Sequence, residues 1–223
     1  MIFRNTKWFI FSAVFLLTVF LATFLKNNIN KEVIAKINGK EITQNDFNIA
    51  LLFEQQKYKY QVQKYEDQKQ FDDGNIFIPV PQKLSPQQIL ERLIDNEVLY
   101  QEAKSQGLEV SYAEAKEYME ETRKITNEIL AGKLQVADRE EFLKTENNLR
   151  QYIKGLGISE DEYWNQLIPI YQKYLSIGKL KAKILSSMPE NDKKDPEKAH
   201  LYFEQYKNNL RKKYKIEIFK NNL

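Results

Sequence analysis

Cysteine is absent from this sequence, and histidine occurs once, at His200. Without thiols there can be no disulfide framework, no thiolate metal site and no lipid-modified cysteine. Nor is there a G-x-S-x-G, H-E-x-x-H or P-loop pattern. His200 falls one turn into an amphipathic pattern, where a surface or boundary role explains it better than a general base does. The acid pairs Glu120–Glu121 and Glu140–Glu141 and the run Glu160–Asp161–Glu162 fall in first helical turns or on exposed faces. Helix-dipole and solubility roles account for them. No catalytic residue, metal site or cofactor is therefore expected, and an enzyme is the least supported class.

Acidic residues are also absent from residues 1–31, whose only charges are Arg4, Lys7, Lys26 and Lys31. Taking those four from 34 Lys and Arg leaves 30 against 31 Asp and Glu, so residues 32–223 carry about −1. The basic isoelectric point belongs to the N-terminus, and the remainder offers no phosphate-neutralising face, so nucleic acid is not an expected partner. Trp8 to Leu25 carries no charge at all. At ~1.5 Å per residue it spans roughly 27 Å, just enough for a hydrocarbon core of about 30 Å. Arg4 and Lys7 precede it, which favours a cytoplasmic segment at 1–7, a transmembrane signal anchor at 8–25 and a linker at 26–32. A cleaved signal peptide is the rival reading. Against it, the run is long, and Thr23, Phe24 and Leu25 close it without a small-x-small pair.

Beyond the anchor, helix signals recur. Ser85, Pro86 and Gln88 form an N-cap, N1 proline and capping-box partner. Ile89, Leu90, Leu93, Ile94, Val98, Leu99 and Ala103 then follow at helical spacing. Gly107 ends this helix as a residue able to take positive φ, and Ser111 with Glu114 opens the next at once. Further starts are expected at Thr43–Asp46, Asp138–Glu141, Ser159–Glu162 and Asp195–Pro196. Pro169 should kink the long helix that follows Ser159, and Gly178 should weaken it. Residues 71–83 interrupt the pattern with Asp73–Gly74, Pro79 and Pro81, yet hold Ile76, Phe77, Ile78 and Val80. They read either as an extended loop over the core or as an arm that lines a cleft or reaches a partner subunit in a homodimer. Residues 186–196 read as a charged linker and 220–223 as a tail. Val33 to Thr43 is a hairpin about an Asn38–Gly39 turn. Tyr214 to Phe219 alternates like a half-buried strand, and its one good partner is Val33 to Ile37. The fold class expected is mainly α, with a small sheet made by the N- and C-terminal strands and one transmembrane helix in front.

Three segments carry a resemblance. Leu93-Ile94-Asp95, Leu99, Ala103, Gly107-Leu108 and Val110-Ser111 follow the pattern of the central hairpin of the SurA/PrsA-type N-terminal chaperone domain. Ala35-x-Ile37-Asn38-Gly39-x-x-Ile42-Thr43 is similar to that domain's opening. Gly157-x-Ser159-Glu160-Asp161-Glu162-Tyr163-Trp164 is similar to the element that opens its closing helix. The resemblance covers residues 33–219. It implies an extracytoplasmic folding factor, tethered in a single-pass manner to a bacterial cell membrane through residues 8–25. Larger members usually insert a parvulin prolyl isomerase whose site uses two histidines. Here only the 186–196 linker stands in that place, and no parvulin pattern occurs, so isomerase activity is not expected.

Two function classes follow. One is a holdase that binds unfolded or nascent secreted polypeptides without ATP. The other is an envelope scaffold that uses the same fold for one fixed partner. Tyr163, Trp164, Tyr171 and Tyr174 crowd one helix. They are either core packing or, with Tyr118, Met119, Ile76 and Phe77, the wall of a client groove.

Overall fold

The computed structural model describes residues 32–70, 79–136 and 138–219. The expected membrane segment at 8–25 and the loop residues Ile76 and Phe77 lie outside them.

Two consecutive positive φ values, 47° at Asn38 and 82° at Gly39, turn β1 (Val33–Ile37) into β2 (Lys40–Thr43). This is the geometry for which Asn-Gly is suited. Asn38 also clamps the far end of the protein. Its N–H donates to the Lys215 carbonyl and its Oδ1 accepts from the Lys215 N–H, both at 2.9 Å. From there β3 (Ile216–Ile218) runs antiparallel to β1, with Ala35 opposite Ile218 and Ile37 opposite Ile216. The sheet order is β2-β1-β3. The predicted pairing of the N- and C-terminal segments is present, through a strand shorter than Tyr214 to Phe219.

The helices begin where their caps stand. Thr43 and Asp46 exchange side-chain and backbone hydrogen bonds ahead of α1 (Gln44–Gln70). Reciprocal capping boxes start α2 (Pro86–Ser105) at Ser85 and α3 (Tyr112–Leu130) at Ser111. Asp138 accepts from the Glu141 N–H to open α4 (Arg139–Leu156). The helix runs on through Gly155, and Gly157, at φ 67°, ends it. Ser159 caps α5 (Glu160–Ser186), which continues through Pro169 and Gly178 as one helix. Asp195 caps α6 (Pro196–Arg211). Each such cap contributes about 1 kcal/mol. The segment between α5 and α6 is tighter than a free linker. Met188 is buried, and the Asp192 and Lys193 amides both donate to the Pro189 carbonyl.

The apolar faces close two separate cores. The first joins the sheet, α2, α6 and the C-terminal half of α5 around Ile34, Ile37, Leu90, Ile94, Val98 and Leu180. The second joins α3, α4 and the N-terminal half of α5 around Met119, Leu149, Leu167 and Ile168. Fully burying each such side chain is worth about 1.5–3 kcal/mol. Tyr171 is the last buried α5 residue of the second core and Leu180 the first of the first core. Between them the contacts turn polar. Ser176, fully buried, accepts from the Val110 N–H at 2.9 Å and donates to the Gln172 carbonyl at 2.6 Å. Lys173 on α5 meets the buried Glu97 of α2 at 2.7 Å. Further ion pairs lock α6 to α2, with Arg211 on both Glu91 and Asp95 and Lys207 on Asp95.

Candidate functional site

The faces of α5 decide where a site can lie. Tyr163, Trp164 and Tyr171 point into the second core, at 0%, 6% and 5% exposure, and Met119 of α3 meets them at 1%. Trp164 packs edge-on against Tyr163 and donates from Nε1 to Glu160 at 3.3 Å. Tyr118 is half-buried against the same core, its ring 6.2 Å from that of Tyr171. The expected groove wall of Tyr163, Trp164, Tyr171, Tyr118 and Met119 is therefore corrected: these residues are core or core boundary. The physical reason is that α3 and α4 both pack on the aromatic face of α5, and that face is consumed. Burial pushes the Tyr171 hydroxyl well above its usual range.

Tyr174 behaves differently. It stands nearly in line with Leu167, about two turns further along the helix and past Tyr171, the last buried residue of the second core, and 41% of its surface stays open. With Pro169 and Ile170 it makes one wall of an apolar cleft of about 300 Å³. Ile49, Ala50 and Phe53 of α1 face it, and Ile89 and Leu93 of α2 form the floor. That volume equals about ten waters at roughly 30 Å³ each, the lower end of the range for ligand pockets. It suits one or two large side chains of a bound segment.

α1 is the strap over this cleft. Its base joins the sheet, while Tyr60 in its second half lies near the start of α4. The Tyr60 hydroxyl is raised above its usual pKa by burial and then by the carboxylates of Glu141 and Asp138. Arg92 of α2 donates to Glu54 of α1 at 2.7 Å across the cleft rim, and Lys57 approaches the same carboxylate at 3.9 Å. Close to this pair, burial raises the Tyr174 hydroxyl, Glu54 adds to the shift and Arg92 opposes it. Two further clefts adjoin the Glu54–Arg92 bridge. One passes between Tyr58 and Tyr65 of α1 and the extended Pro79–Pro81 segment, where Val80 is 67% exposed. The other runs toward Leu99 of α2 and Phe203 and Lys207 of α6.

Of the described residues expected from sequence to bind, Tyr174 alone lines the cleft. Ile49, Phe53, Leu93 and Ile170 were not among them. A signal for two of these exists. Ile49 and Phe53 are an i, i+4 apolar pair on the flank of the stripe formed by Phe47, Ala50 and Leu51, left over once that stripe is used. Among the described residues there is no group of three or more His, Cys, Asp or Glu side chains that could hold a metal, and no described helix is long and apolar enough to cross a membrane. The arrangement is an apolar cleft beside a charged rim.

No curated protein and no solved structure matches this sequence. The sequence model of the SurA-like N-terminal domain does match, over residues 2–146, a span that holds β1, β2, α1, α2, α3 and the first part of α4. It takes in α1 and α2, two of the helices that line the cleft, while α5, α6 and β3 follow it in sequence. The chain belongs to the SurA-like N-terminal domain family, and its function at the family level is of the chaperone type.

Proposed function

We propose that the protein is a membrane-anchored holdase that binds apolar segments of unfolded secreted or envelope proteins without ATP. The observation that carries this reading is the cleft between α1, α2 and α5, an open apolar pocket on whose wall Tyr174 stays partly exposed. Exposed aromatic and aliphatic side chains in a concave site bind varied apolar segments at low entropic cost. Family membership supports a chaperone role, and the uncharged run Trp8–Leu25 supports a tether that holds the domain on the extracytoplasmic side of a bacterial membrane. Binding is passive and weak per contact, because ordering a flexible client opposes it. The protein does no covalent chemistry in this reading, and it should not accelerate prolyl isomerisation in a standard proline peptide.

The test is suppression of aggregation of a chemically unfolded client by the full-length protein in lipid nanodiscs, without nucleotide. Ile49→Ser combined with Tyr174→Ser should abolish most of the protection while leaving the helical circular dichroism unchanged. Full protection by that variant contradicts the cleft as the binding site. Tight capture of one envelope protein, with no protection of unrelated clients, supports the scaffold reading instead.

A further inference from the structure

The β1–β2 turn holds the one Asn-Gly pair in the sequence, Asn38–Gly39, and both residues are exposed. Such a pair carries a reaction of its own. The side-chain amide carbon of an asparagine can close a five-membered ring onto the next backbone nitrogen, and glycine puts no Cβ in the way. In this fold the asparagine side chain is held by the C-terminal strand. Asn38 Oδ1 accepts from the Lys215 N–H, and the Asn38 N–H donates to the Lys215 carbonyl, both at 2.9 Å. Together with the pairing of Ile37 and Lys40, these bonds fix the side chain and hold the backbone at φ 47°. Ring closure moves Cγ onto the Gly39 nitrogen, and Oδ1 moves with it, off Lys215. The reactive arrangement is therefore reached when the clamp to β3 opens locally, and the rate follows the open fraction.

We propose that Asn38 is a deamidation site guarded by β3, and that its isoaspartyl product undocks the C-terminal strand. The inference stands independently of the client cleft. The Gly39 nitrogen gives up its proton and bonds to Asn38 Cγ. The Cγ–Nδ2 bond breaks, and the amide nitrogen leaves with that proton as ammonia, so a succinimide remains. Water is the only other reactant, and it opens the ring in one of two ways. Breaking the new bond between Cγ and nitrogen leaves aspartate in an ordinary main chain, and its carboxylate still offers Lys215 an acceptor. Breaking the original bond between the Asn38 carbonyl carbon and nitrogen leaves isoaspartate, with the main chain running through Cβ and Cγ. The turn is then longer by one carbon, and the carbonyl that held Lys215 has become part of the main chain. Type I′ geometry is set by two ordinary residues, so the lengthened turn loses the clamp. With it goes the alignment of Ile216 and Ile218, which pack on the first core.

The experiment ages full-length protein in mild detergent and in guanidinium chloride, in the same mildly alkaline buffer. Peptide mapping by mass spectrometry follows the exchange of the Asn38 amide for a carboxyl, and electron-transfer fragmentation tells isoaspartate from aspartate. Conversion should be at least about fivefold slower in the folded protein, the lower bound for two hydrogen bonds that must open first. Lys215→Pro deletes the donor to Oδ1 and keeps the carbonyl. It should raise the folded rate about two- to tenfold while the helical circular dichroism stays unchanged. The isoaspartyl fraction, separated by chromatography, should lose amide protection at Ile34 to Ile37, and Asn38→Asp should keep it. Equal rates in folded and denatured protein, or a folded Lys215→Pro variant no faster than the parent, overturn the guard. No conversion in denaturant overturns the site itself, and an isoaspartyl fraction with full protection overturns the undocking. Should Lys215→Pro fail to fold, the comparison of folded with denatured protein and the protection of the isoaspartyl fraction still decide, since both use the unsubstituted chain.

Discussion

Lys173→Met is the sharpest structural perturbation the cleft offers. Glu97 is a charged residue whose side chain is 8% exposed, and Lys173 meets it at 2.7 Å. The other carboxylate oxygen accepts from Gln101 Nε2 at 3.1 Å, and that amide also donates to the Ile37 carbonyl at 3.0 Å. The pair thus links α5 to α2 and, through Gln101, to β1. Methionine keeps most of the lysine stem, so packing is largely preserved while Glu97 is left with one neutral hydrogen bond. Breaking a fully buried pair costs about 3–5 kcal/mol, but Lys173 is 30% exposed, which lets water screen the charge. An expected loss of about 2–3 kcal/mol follows. Glu97→Gln removes the charge and keeps an acceptor for Gln101, so the double variant Lys173→Met with Glu97→Gln should recover at least about 1 kcal/mol of that loss. Urea unfolding of the full-length protein in mild detergent, followed by far-ultraviolet circular dichroism, measures all the corners of the cycle. A Lys173→Met variant within about 0.5 kcal/mol of the parent, or strictly additive substitutions, would refute the reasoning.

Glu146, buried in α4 with Arg150 on one oxygen, has its carboxyl raised above the ordinary 4.5 chiefly by burial, with the Arg150 contacts opposing the shift. A carboxyl raised in the folded state costs stability at higher pH, and the cost fades as pH falls through the folded value to the unfolded one. Glu146→Met should therefore stabilise by about 0.5–1.5 kcal/mol at neutral pH, with the gain shrinking as pH falls toward 4.5; a gain that grows on acidification would contradict this. Deleting residues 214–223 removes β3 and the Lys215 contacts to Asn38, so amide hydrogen exchange at Ile34 to Ile37 should speed up markedly, and unchanged protection would deny the pairing a stabilising role. In a Trp8→Phe background, Trp164 emission should stay flat on titration with apolar peptides because the ring is in the second core, whereas a Tyr174→Trp reporter should shift; a Trp164 response without one at position 174 would put the site elsewhere.

Local chemistry explains how much of the fold could be read in advance. Ser85 with Gln88 and Ser111 with Glu114 act within four residues of themselves, and both capping boxes form as their spacing predicts. The pairing of β3 with β1 was legible for another reason: an alternating apolar strand needs an edge, and the hairpin offered one. The binding face was not legible. Tyr163, Trp164, Tyr171 and Tyr174 look equivalent along the sequence, and which of them is buried depends on α3 and α4 docking against one side of α5. The division into two cores was hidden for the same reason. It depends on Ser176 and Lys173 reaching Val110 and Glu97 across long stretches of sequence. Lysine and serine in such positions read as surface residues until the partner helix is in place.

The most direct test places a photo-crosslinking residue at single positions in the full-length protein and adds a labelled, unfolded, secreted client. Position 174 lies on the cleft wall, position 164 is buried in the second core, and position 201 is exposed on α6 and lines none of the three clefts. Capture at 174, with little at 164 or 201 and competition by unrelated apolar peptides, is the predicted result. Equal capture at 174 and 201, or none at 174 while the protein still prevents aggregation, would contradict the cleft between α1, α2 and α5 as the place where clients are held.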